Sequence, residues 1–389
     1  MKILILEDEL EKLEKIEAVI SDIGKDIILE KCNNYADFRG LLDKEKYNLI
    51  IVDLLVPALQ DSEPIDVTKN MVANIRDQDC LNVHTPVIAL TQYSNSADKN
   101  YKELNTKNIT VIEFLPDERW KSTLSDRVSE NVPPLHFDFL IFCALDMEAQ
   151  AFCKLNYTKD DLKIYNGFEY REIRIDNFKG CIITIPRMGL VNASITITRA
   201  IEVLKPRLVT MSGICAGLTG KASIYDVIIP TTCYQHDAGK WAEEGHLAEL
   251  YPVQIDESLR QAINVKVQKG DFLRKVMKPI KDKIEKEMIP DDQSRVSPNI
   301  KMGVTSSGSS VIADHKMHEI IQATHRKLLA FEMENYALFE SSRLSTNRPI
   351  TFAVKCVVDN GNSIKNDRFQ DIGSQIAAST VYHLIKGIM

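Results

Sequence analysis

Hydrophobic residues in the first part of the chain occur in short runs separated by amphipathic stretches. One such stretch has Leu10, Leu13, Ile16, Val19 and Ile20 at helical spacing. The runs that have the length and β-branched content of strands are 3–6, 27–29, 49–52, 87–90 and 109–114. Strands that alternate with helices predict a doubly wound parallel sheet of the (βα)5 type, whose ligands collect at the carboxyl ends of the strands.

A second alternating series begins at Phe137 and extends to the end of the chain. Its strand-like runs are 137–144, 181–185, 208–212, 227–229, 302–305, 329–332 and 351–358. The last residues, 371–389, predict a helix because apolar positions recur at every fourth residue. The pattern therefore predicts two α/β domains, residues 1–125 and 137–389, with a linker at 126–136 and a polar insertion or lid at about 240–297.

Composition narrows the class of partner. The chain has 389 residues and a net charge of -7, with no strongly basic run, which argues against a nucleic-acid surface. We find no apolar stretch long enough to span a bilayer and no cleavage site after the first strand, so we expect a cytoplasmic protein. The eight cysteines lack CxxC spacing, which favours reduced core thiols over disulfides or zinc.

Polar residues end three strands of the first domain. Glu7 and Asp8 follow the first strand, Asp53 follows the third, and Thr91 follows the fourth. In a doubly wound sheet these side chains converge at one edge, where mutual repulsion of the acids favours a divalent cation with oxygen ligands. The sequence therefore predicts a Mg²⁺ site suited to phosphoryl chemistry.

This pattern resembles the receiver domain of bacterial response regulators over residues 1–125. The resemblance implies that Glu7 and Asp8 hold Mg²⁺, that Asp53 is the phosphoacceptor, and that Thr91 moves toward the new phosphoryl group. It also implies a partner histidine kinase or phosphotransfer protein. One position departs from the family, because Leu115 stands before Pro116 where a lysine is usual. Switching is then weaker, recruits another base or is lost; we favour phosphorylation of Asp53.

Four motifs of the second domain follow strand-like runs. They are Ala144-Leu145-Asp146-Met147-Glu148, Ser212-Gly213-Ile214-Cys215-Ala216-Gly217, Phe331-Glu332-Met333-Glu334, and Asp359 before Asn360-Gly361-Asn362. A glycine-rich turn alone is as often a packing device as a binding loop. In this order, however, the motifs resemble the nucleoside phosphorylase superfamily, above all its methylthioadenosine/S-adenosylhomocysteine nucleosidases, over residues 137–389.

The resemblance implies a role for each motif. Asp359 would protonate or hydrogen-bond N7 of the leaving purine, and Glu148 would position and deprotonate the attacking water. Met333 would pack against the ribose, and Glu334 would bind its hydroxyls. The base-pocket and backbone residues that the resemblance implies are Gly213, Ile214, Cys215, Val311 and Ile312.

Each acid also has a purely local interpretation. Glu148 is in the position of an ordinary first-turn helix acid, and Asp359 could simply make a turn. Of Glu332 and Glu334, one is expected to be a helix N-terminal charge. The agreement of all four motifs in family order is what favours a site.

Anion binding distinguishes hydrolysis from phosphorolysis in this superfamily. Phosphorolytic members hold orthophosphate with an arginine and a serine, at the positions that Met211 and Ile214 occupy here. Neither residue can bind phosphate, so we expect a hydrolase that needs no cofactor at this site.

The combination of a receiver and a nucleosidase resembles effectors of bacterial antiphage phosphorelays, which cleave adenine from ATP. The resemblance implies an ATP nucleosidase that is controlled by phosphorylation and acts in antiviral defence. Two alternatives stay open: a regulated methylthioadenosine/S-adenosylhomocysteine nucleosidase, or a module that senses a nucleoside without turnover. The family also implies a homo-oligomer, at least a dimer.

Overall fold

The computed structural model describes every residue except 24–26, 93–103, 132–134, 244, 292, 313 and 361–366. Its chain forms two compact units, Met1–Pro134 and Leu135–Met389. Both units are mixed α/β. Residues 132–134 of the predicted linker and residues 361–362 of the Asn-Gly-Asn segment lie outside the described part.

A parallel five-stranded sheet forms the centre of the N-terminal unit. Its strands are β1 (Lys2–Leu6), β2 (Ile28–Cys32), β3 (Leu49–Val52), β6 (Val87–Thr91) and β7 (Ile109–Glu113), and their order is β2-β1-β3-β6-β7. Two short strands, β4 (Leu55–Pro57) and β5 (Pro64–Asp66), form a separate antiparallel pair. All five predicted strands therefore form, and they lie in one sheet.

Helices cover this sheet on both faces. They are α1 (Leu10–Ile23), α2 (Tyr35–Leu42), α3 (Thr68–Ile75) and α4 (Arg119–Asn131). Ile16 and Ile20 of α1 pack into one core with Leu124 of α4, whereas Leu10 is 76% exposed and does not belong to the buried face predicted for it. Leu10 is exposed because it is the first residue of the helix, ahead of the turns that contact the sheet.

The predicted domain boundary at residue 125 needs correction. Helix α4 continues through it to Asn131, and Val128 is fully buried against the sheet of the N-terminal unit. Residues 126–131 are therefore part of that unit and not of a linker. The polar composition of the segment hid three buried positions, Trp120, Leu124 and Val128, which share one helical face.

In the described part of the C-terminal unit, a mixed sheet of ten strands forms the core. Nine strands follow the order β16-β13-β17-β18-β12-β8-β11-β10-β9, and β19 pairs with β12 and β13. The strands are β8 (Phe139–Cys143), β9 (Leu162–Tyr165), β10 (Phe168–Ile175), β11 (Phe178–Thr184), β12 (Leu208–Gly217), β13 (Val227–Gln235), β16 (Val253–Gln254), β17 (Ile300–Ser307), β18 (Leu328–Glu332) and β19 (Ile350–Asp359).

Helices pack on both faces of this sheet. They are α5 (Asp146–Lys154), α6 (Leu190–Leu204), α7 (Glu257–Val267), α8 (Phe272–Met277), α9 (His315–Thr324), α10 (Asn335–Leu344) and α11 (Gln370–Ile388). Helix α11 matches the helix predicted at 371–389, and its residues Ile372, Ile376 and Leu384 are buried. A search of the described helices finds none with the length and apolarity needed to cross a bilayer.

The segment predicted as an insertion or lid is structured. It contains the hairpin β14 (Gly239–Ala242) and β15 (Gly245–Ala248), strand β16, helices α7 and α8, and two short 3-10 turns. Ile263 and Val276, from α7 and α8, are fully buried in the same core as α11. This part of the chain is therefore packed onto the body of the C-terminal unit.

Candidate active site

One cavity of about 150 Å³ lies where several strands of the C-terminal unit end. Its walls come from the residues that follow β8, from the end of β12, from the β18–α10 junction and from the end of β19. Of the residues that the sequence predicted for the site, Glu148, Ile214, Cys215, Val311, Ile312, Met333, Glu334 and Asp359 line it. Segments far apart in sequence therefore meet there.

Gly213 does not line the cavity itself but lies behind it. A Cβ at this position would be 2.5 Å from Glu148 Oε1 and 3.0 Å from Lys355 Nζ. Gly213 pairs with Lys355 across β12 and β19. The missing side chain therefore lets a carboxylate and an ammonium group approach the strand closely.

Glu148 is held in one orientation by the backbone. Its Oε2 accepts hydrogen bonds from the backbone N–H groups of Ala144 and Leu145 at 2.8 and 3.0 Å, and its Oε1 accepts one from Ile214 at 2.9 Å. The side chain is 1% exposed, and burial raises its pKa against the opposing effects of Lys355 and these backbone donors. Glu148 thus caps α5 and also presents its carboxylate to the cavity.

Glu332 and Glu334 have separate tasks. Glu332 Oε2 accepts hydrogen bonds from the backbone N–H groups of Glu334 and Asn335, both at 2.9 Å, and thereby caps the start of α10. Its Oε1 accepts a hydrogen bond from the Ser307 hydroxyl. Glu334 lines the cavity and its Oε1 accepts a hydrogen bond from the Gly189 backbone N–H at 3.0 Å. The helix N-terminal charge expected at one of the two is therefore Glu332.

Lys355 is the cation behind this acidic cluster. Its side chain is about 2% exposed, and its Nζ lies 3.2 Å from Glu334 Oε2 and 3.3 Å from Glu332 Oε2. Burial alone lowers the pKa of Lys355, but the charges of Glu334, Glu332 and Glu148 outweigh it, so the pKa is raised. Lys355 lies within the predicted strand 351–358, but the sequence did not show where its ammonium group lies.

Asp359 occupies the end of β19 beside an irregularity in the sheet. The pairing with β12 runs from Cys215 opposite Val357 to Ala216 opposite Asp359, so Val358 has no partner in the register. This bulge lets the adjacent residues Val358 and Asp359 both line the cavity, which regular alternation would prevent. A bulge of this kind leaves no signal in the apolar run 352–358.

Most of the remaining lining is apolar. Met188 is 46% exposed at the cavity wall, and Phe331 is largely buried. The motifs of the sequence did not include Met188. Its neighbour Arg187 is exposed. Met211, in the middle of β12, points into the core and is fully buried, so this position offers no polar group to an anion.

The acids of the N-terminal unit come together around a lysine. Lys12 Nζ lies 2.7 Å from Glu7 Oε2 and 2.5 Å from Asp53 Oδ2, and all three side chains are at most 4% exposed. Burial raises the pKa of Glu7 to about 7, against the opposing effect of Lys12. Thr91 ends β6 and is buried, while Asp8 is partly exposed. Sequence reasoning missed Lys12.

The expected Mg²⁺ site is not formed in this arrangement. Its acids are hard oxygen donors of the right kind, but the Lys12 ammonium group already pairs with Glu7 and Asp53. Across the described residues, no group of three or more His, Cys, Asp and Glu side chains is arranged to hold a metal ion. Magnesium binding by Glu7, Asp8 and Asp53 stays a prediction, and it would require Lys12 to leave the cluster.

Two relatives show how far similarity to known proteins extends. Protein y4jS of Sinorhizobium fredii (strain NBRC 101917 / NGR234) is 22% identical over 99% of this chain and 98% of its own length. The ATP nucleosidase Cap17 of Escherichia coli (strain KTE188) is 26% identical over 61% of this chain and 49% of that protein. This chain thus spans about half the length of Cap17.

Solved structures and a family model agree on the C-terminal unit. The 5'-methylthioadenosine/S-adenosylhomocysteine nucleosidase of Neisseria meningitidis, in complex with methylthio-immucillin-A, aligns with a TM-score of 0.50 and 15% identity over 64% of this chain and 99% of that one. At this identity the similarity shows the fold alone. The model of the phosphorylase superfamily matches residues 138–386, more than half of the chain. The protein therefore belongs to the phosphorylase superfamily, as the motifs of residues 137–389 predicted.

Proposed function

We propose that this protein is a nucleosidase that hydrolyses the N-glycosidic bond of an adenine nucleotide, ATP, to adenine and ribose triphosphate. The observation that carries the proposal is the meeting of Glu148, Glu334 and Asp359 in one cavity. Membership of the phosphorylase superfamily and similarity to the ATP nucleosidase Cap17 over 61% of the chain support it.

In the proposed reaction, Glu334 accepts hydrogen bonds from the ribose hydroxyls and fixes the sugar. Asp359 donates a proton to N7 of adenine as the bond between C1' and the base nitrogen breaks. Water attacks C1', and Glu148 takes its proton, so the sugar product carries a new hydroxyl and the base leaves neutral. The three backbone N–H groups that hold Glu148 would keep its carboxylate oriented without reorganisation during the reaction.

Hydrolysis is favoured over phosphorolysis by two residues of β12. Met211 is buried in the core, and Ile214 contributes its backbone N–H to Glu148. Neither side chain offers the charge that would hold orthophosphate opposite the base. Water is therefore the proposed nucleophile.

The 5' substituent decides between two substrates. A triphosphate needs cations near the mouth of the cavity, and exposed Arg187, next to lining residue Met188, is available for this task. Apolar lining by Met188, Val311, Ile312 and Phe331 instead suits a thioether, which keeps methylthioadenosine as the second candidate.

Adenine release from purified protein tests both. We expect adenine from ATP and little from methylthioadenosine, with Asp359→Asn inactive on both. Asp291→Asn, which changes an aspartate that is 89% exposed and outside the cavity, is the matched control. Release from methylthioadenosine alone would replace the first candidate by the second. If ligand binding occurs without release from either substrate, the protein is a sensor.

We further propose that the N-terminal unit is a receiver that controls the nucleosidase. The strand order β2-β1-β3-β6-β7 and the acids that follow β1 and β3 support this assignment. Asp53 is the proposed phosphoacceptor, and a histidine kinase or phosphotransfer protein is the proposed donor. Control of an ATP-consuming activity suits an antiphage effector, because depletion of ATP must be delayed until infection.

Acetyl phosphate as a phosphodonor tests this control. We expect it to change the rate of adenine release by the wild type, and Asp53→Asn to keep basal release and lose the response. Asp66→Asn, which changes an exposed aspartate of the same unit, should respond as the wild type does. A response of Asp53→Asn equal to that of the wild type would remove Asp53 from the proposal.

Self-association is the last part of the proposal. Val191 and Ile195, at a spacing of one helical turn on α6, are 71% and 56% exposed, and nearby Met188 lines the cavity. This apolar face supports a dimer that covers the cavity mouth. Sedimentation of the wild type and of Ile195→Lys measures it; a monomeric wild type would contradict it.

A further inference from the structure

A second cavity of about 900 Å³ lies between α7, α8 and the C-terminal helix α11. Five lysines line it, Lys266, Lys269, Lys275, Lys278 and Lys386, against one acid, Asp271. It shares no lining residue with the candidate active site. The segment that builds most of it is the polar region whose role the sequence left open.

The positive charge of this cavity is only partly compensated. Lys275 pairs with Asp271 and Lys386 pairs with Asp176, both at 2.6 Å. Within the described ranges of the chain, Lys266, Lys269 and Lys278 have no carboxylate within salt-bridge distance. Like charges that converge on a concave surface attract anions, because the surrounding walls focus the field.

The convergence of the lysines disfavours the charged form of Lys266. Burial lowers the pKa of Lys266 first, and repulsion by Lys269, Lys275 and Lys386 lowers it further. Its ammonium group lies against α11, where a Cβ at Gly387 would be only 1.7 Å from Nζ. A solvated lysine face normally lets its side chains spread apart, whereas this one brings them together.

Part of the cavity lining is aromatic. The rings of Tyr157 and Tyr382 stack with centroids 3.9 Å apart and an interplanar angle of 8°, and the Tyr157 hydroxyl is 3.1 Å from Ser379 Oγ. A rigid apolar wall beside several ammonium groups suits a ligand with an organic part and a cluster of phosphates.

We propose that this cavity binds a small molecule that carries several phosphate groups. Helix α11 connects it to the active site, because Gln370 at its start lines the catalytic cavity and Lys386 near its end lines this one, a span of roughly 24 Å. Gly373 packs α11 directly on Val358, where a Cβ would lie 2.4 Å from the valine. The lysine cavity and the end of β19 therefore both contact the same helix.

Calorimetric titration of the full chain with inorganic tripolyphosphate tests the proposal. The variant Lys266→Gln, Lys269→Gln and Lys278→Gln should bind at least about tenfold more weakly, since each lost charge-assisted contact to phosphate weakens binding. A control with Lys159→Gln, Lys205→Gln and Lys327→Gln removes the same charge from exposed lysines outside the cavity. It should bind like the wild type, and binding should weaken with salt in both.

Lysine acetylation of the wild type gives a second readout that needs no variant. Tripolyphosphate should protect Lys266, Lys269 and Lys278 from the reagent and leave Lys159 and Lys327 unprotected. Equal affinities of the cavity variant and the control variant, or uniform protection of all lysines, would overturn the proposal. Neither readout uses adenine release, so the outcome is independent of the proposed enzyme activity.

Discussion

Lys12 Nζ lies 2.5 Å from Asp53 Oδ2 and 2.7 Å from Glu7 Oε2, so one buried ammonium group joins carboxylates that follow two different strands. The ring of Phe114, the residue after β7, is centred 5.6 Å from the same nitrogen. Leu115 stands before Pro116, at the position where the receiver family that this unit resembles usually has a lysine. The cation of this cluster is therefore supplied by α1.

Lys12→Met is expected to destabilise the N-terminal unit by about 3–5 kcal/mol, because it leaves two buried carboxylates without a counter-charge. Hydrogen exchange of peptides from residues 1–134 measures the loss without assuming that the whole chain unfolds at once. Lys15→Met is the matched control: this lysine is 41% exposed and pairs with exposed Glu11, so about 1 kcal/mol or less is expected.

Magnesium provides a test of whether Lys12 occupies the metal position. We expect MgCl₂ to protect the Lys12→Met variant from exchange more than it protects the wild type, because the cation then has the carboxylates to itself. Equal protection of both proteins would mean that Lys12 does not compete with the metal.

The burial of Lys12 shows where sequence reasoning ended. The helical pattern of α1 correctly identified Ile16 and Ile20 as core residues, but it gave no apolar signal for Lys12, which lies four residues before Ile16 on the same buried side of the helix. That side faces the acids after β1 and β3, which only the assembled sheet brings over the first turn of the helix. Helical periodicity separates apolar from polar faces, but it does not show which polar residues will be buried together.

The candidate active site shows the same division. The motifs predicted that Glu148, Glu334 and Asp359 belong to one site, and all three line one cavity. Lys355 and the bulge at Val358 could not be predicted, because both depend on the register between β12 and β19. Residue types at strand ends are visible in a sequence, whereas the pairing that orients them is a property of the folded sheet.

Gly213→Ala is expected to lower the rate of adenine release about 10–100-fold while the fold persists, because small displacements of catalytic groups are costly. The added Cβ would meet Glu148 Oε1 at 2.5 Å and Lys355 Nζ at 3.0 Å, and would displace both. Steady-state kinetics with ATP measure the effect. Gly40→Ala is the control, since nothing lies within 4 Å of its Cβ. Unchanged turnover of Gly213→Ala would show that the position of Glu148 is not limiting.

Lys355→Met should lower both stability and activity, because it leaves Glu332 and Glu334 buried beside each other without their cation. The expected loss of stability is about 3–5 kcal/mol. Lys355→Arg keeps the charge and should recover part of the stability, which denaturant unfolding of the C-terminal unit measures. If Lys355→Met were as stable as the wild type, the ion pairs would contribute no net stability. Because Lys355 positions Glu334, Lys355→Met should raise KM for ATP more than Lys355→Arg does.

The acid limb of the pH profile depends on Glu148. A base must be deprotonated to take a proton from water, and burial raises the pKa of Glu148 above that of an exposed glutamate. Activity is therefore expected to be full above this raised pKa and to fall as the pH drops through it, at a pH above the usual range for a glutamate. The pH dependence of kcat/KM for ATP measures the limb, and Glu148→Gln, which cannot act as a base, should lose activity at every pH. A limb in the range of an exposed carboxyl, or retained activity of Glu148→Gln, would assign the proton transfer to another group.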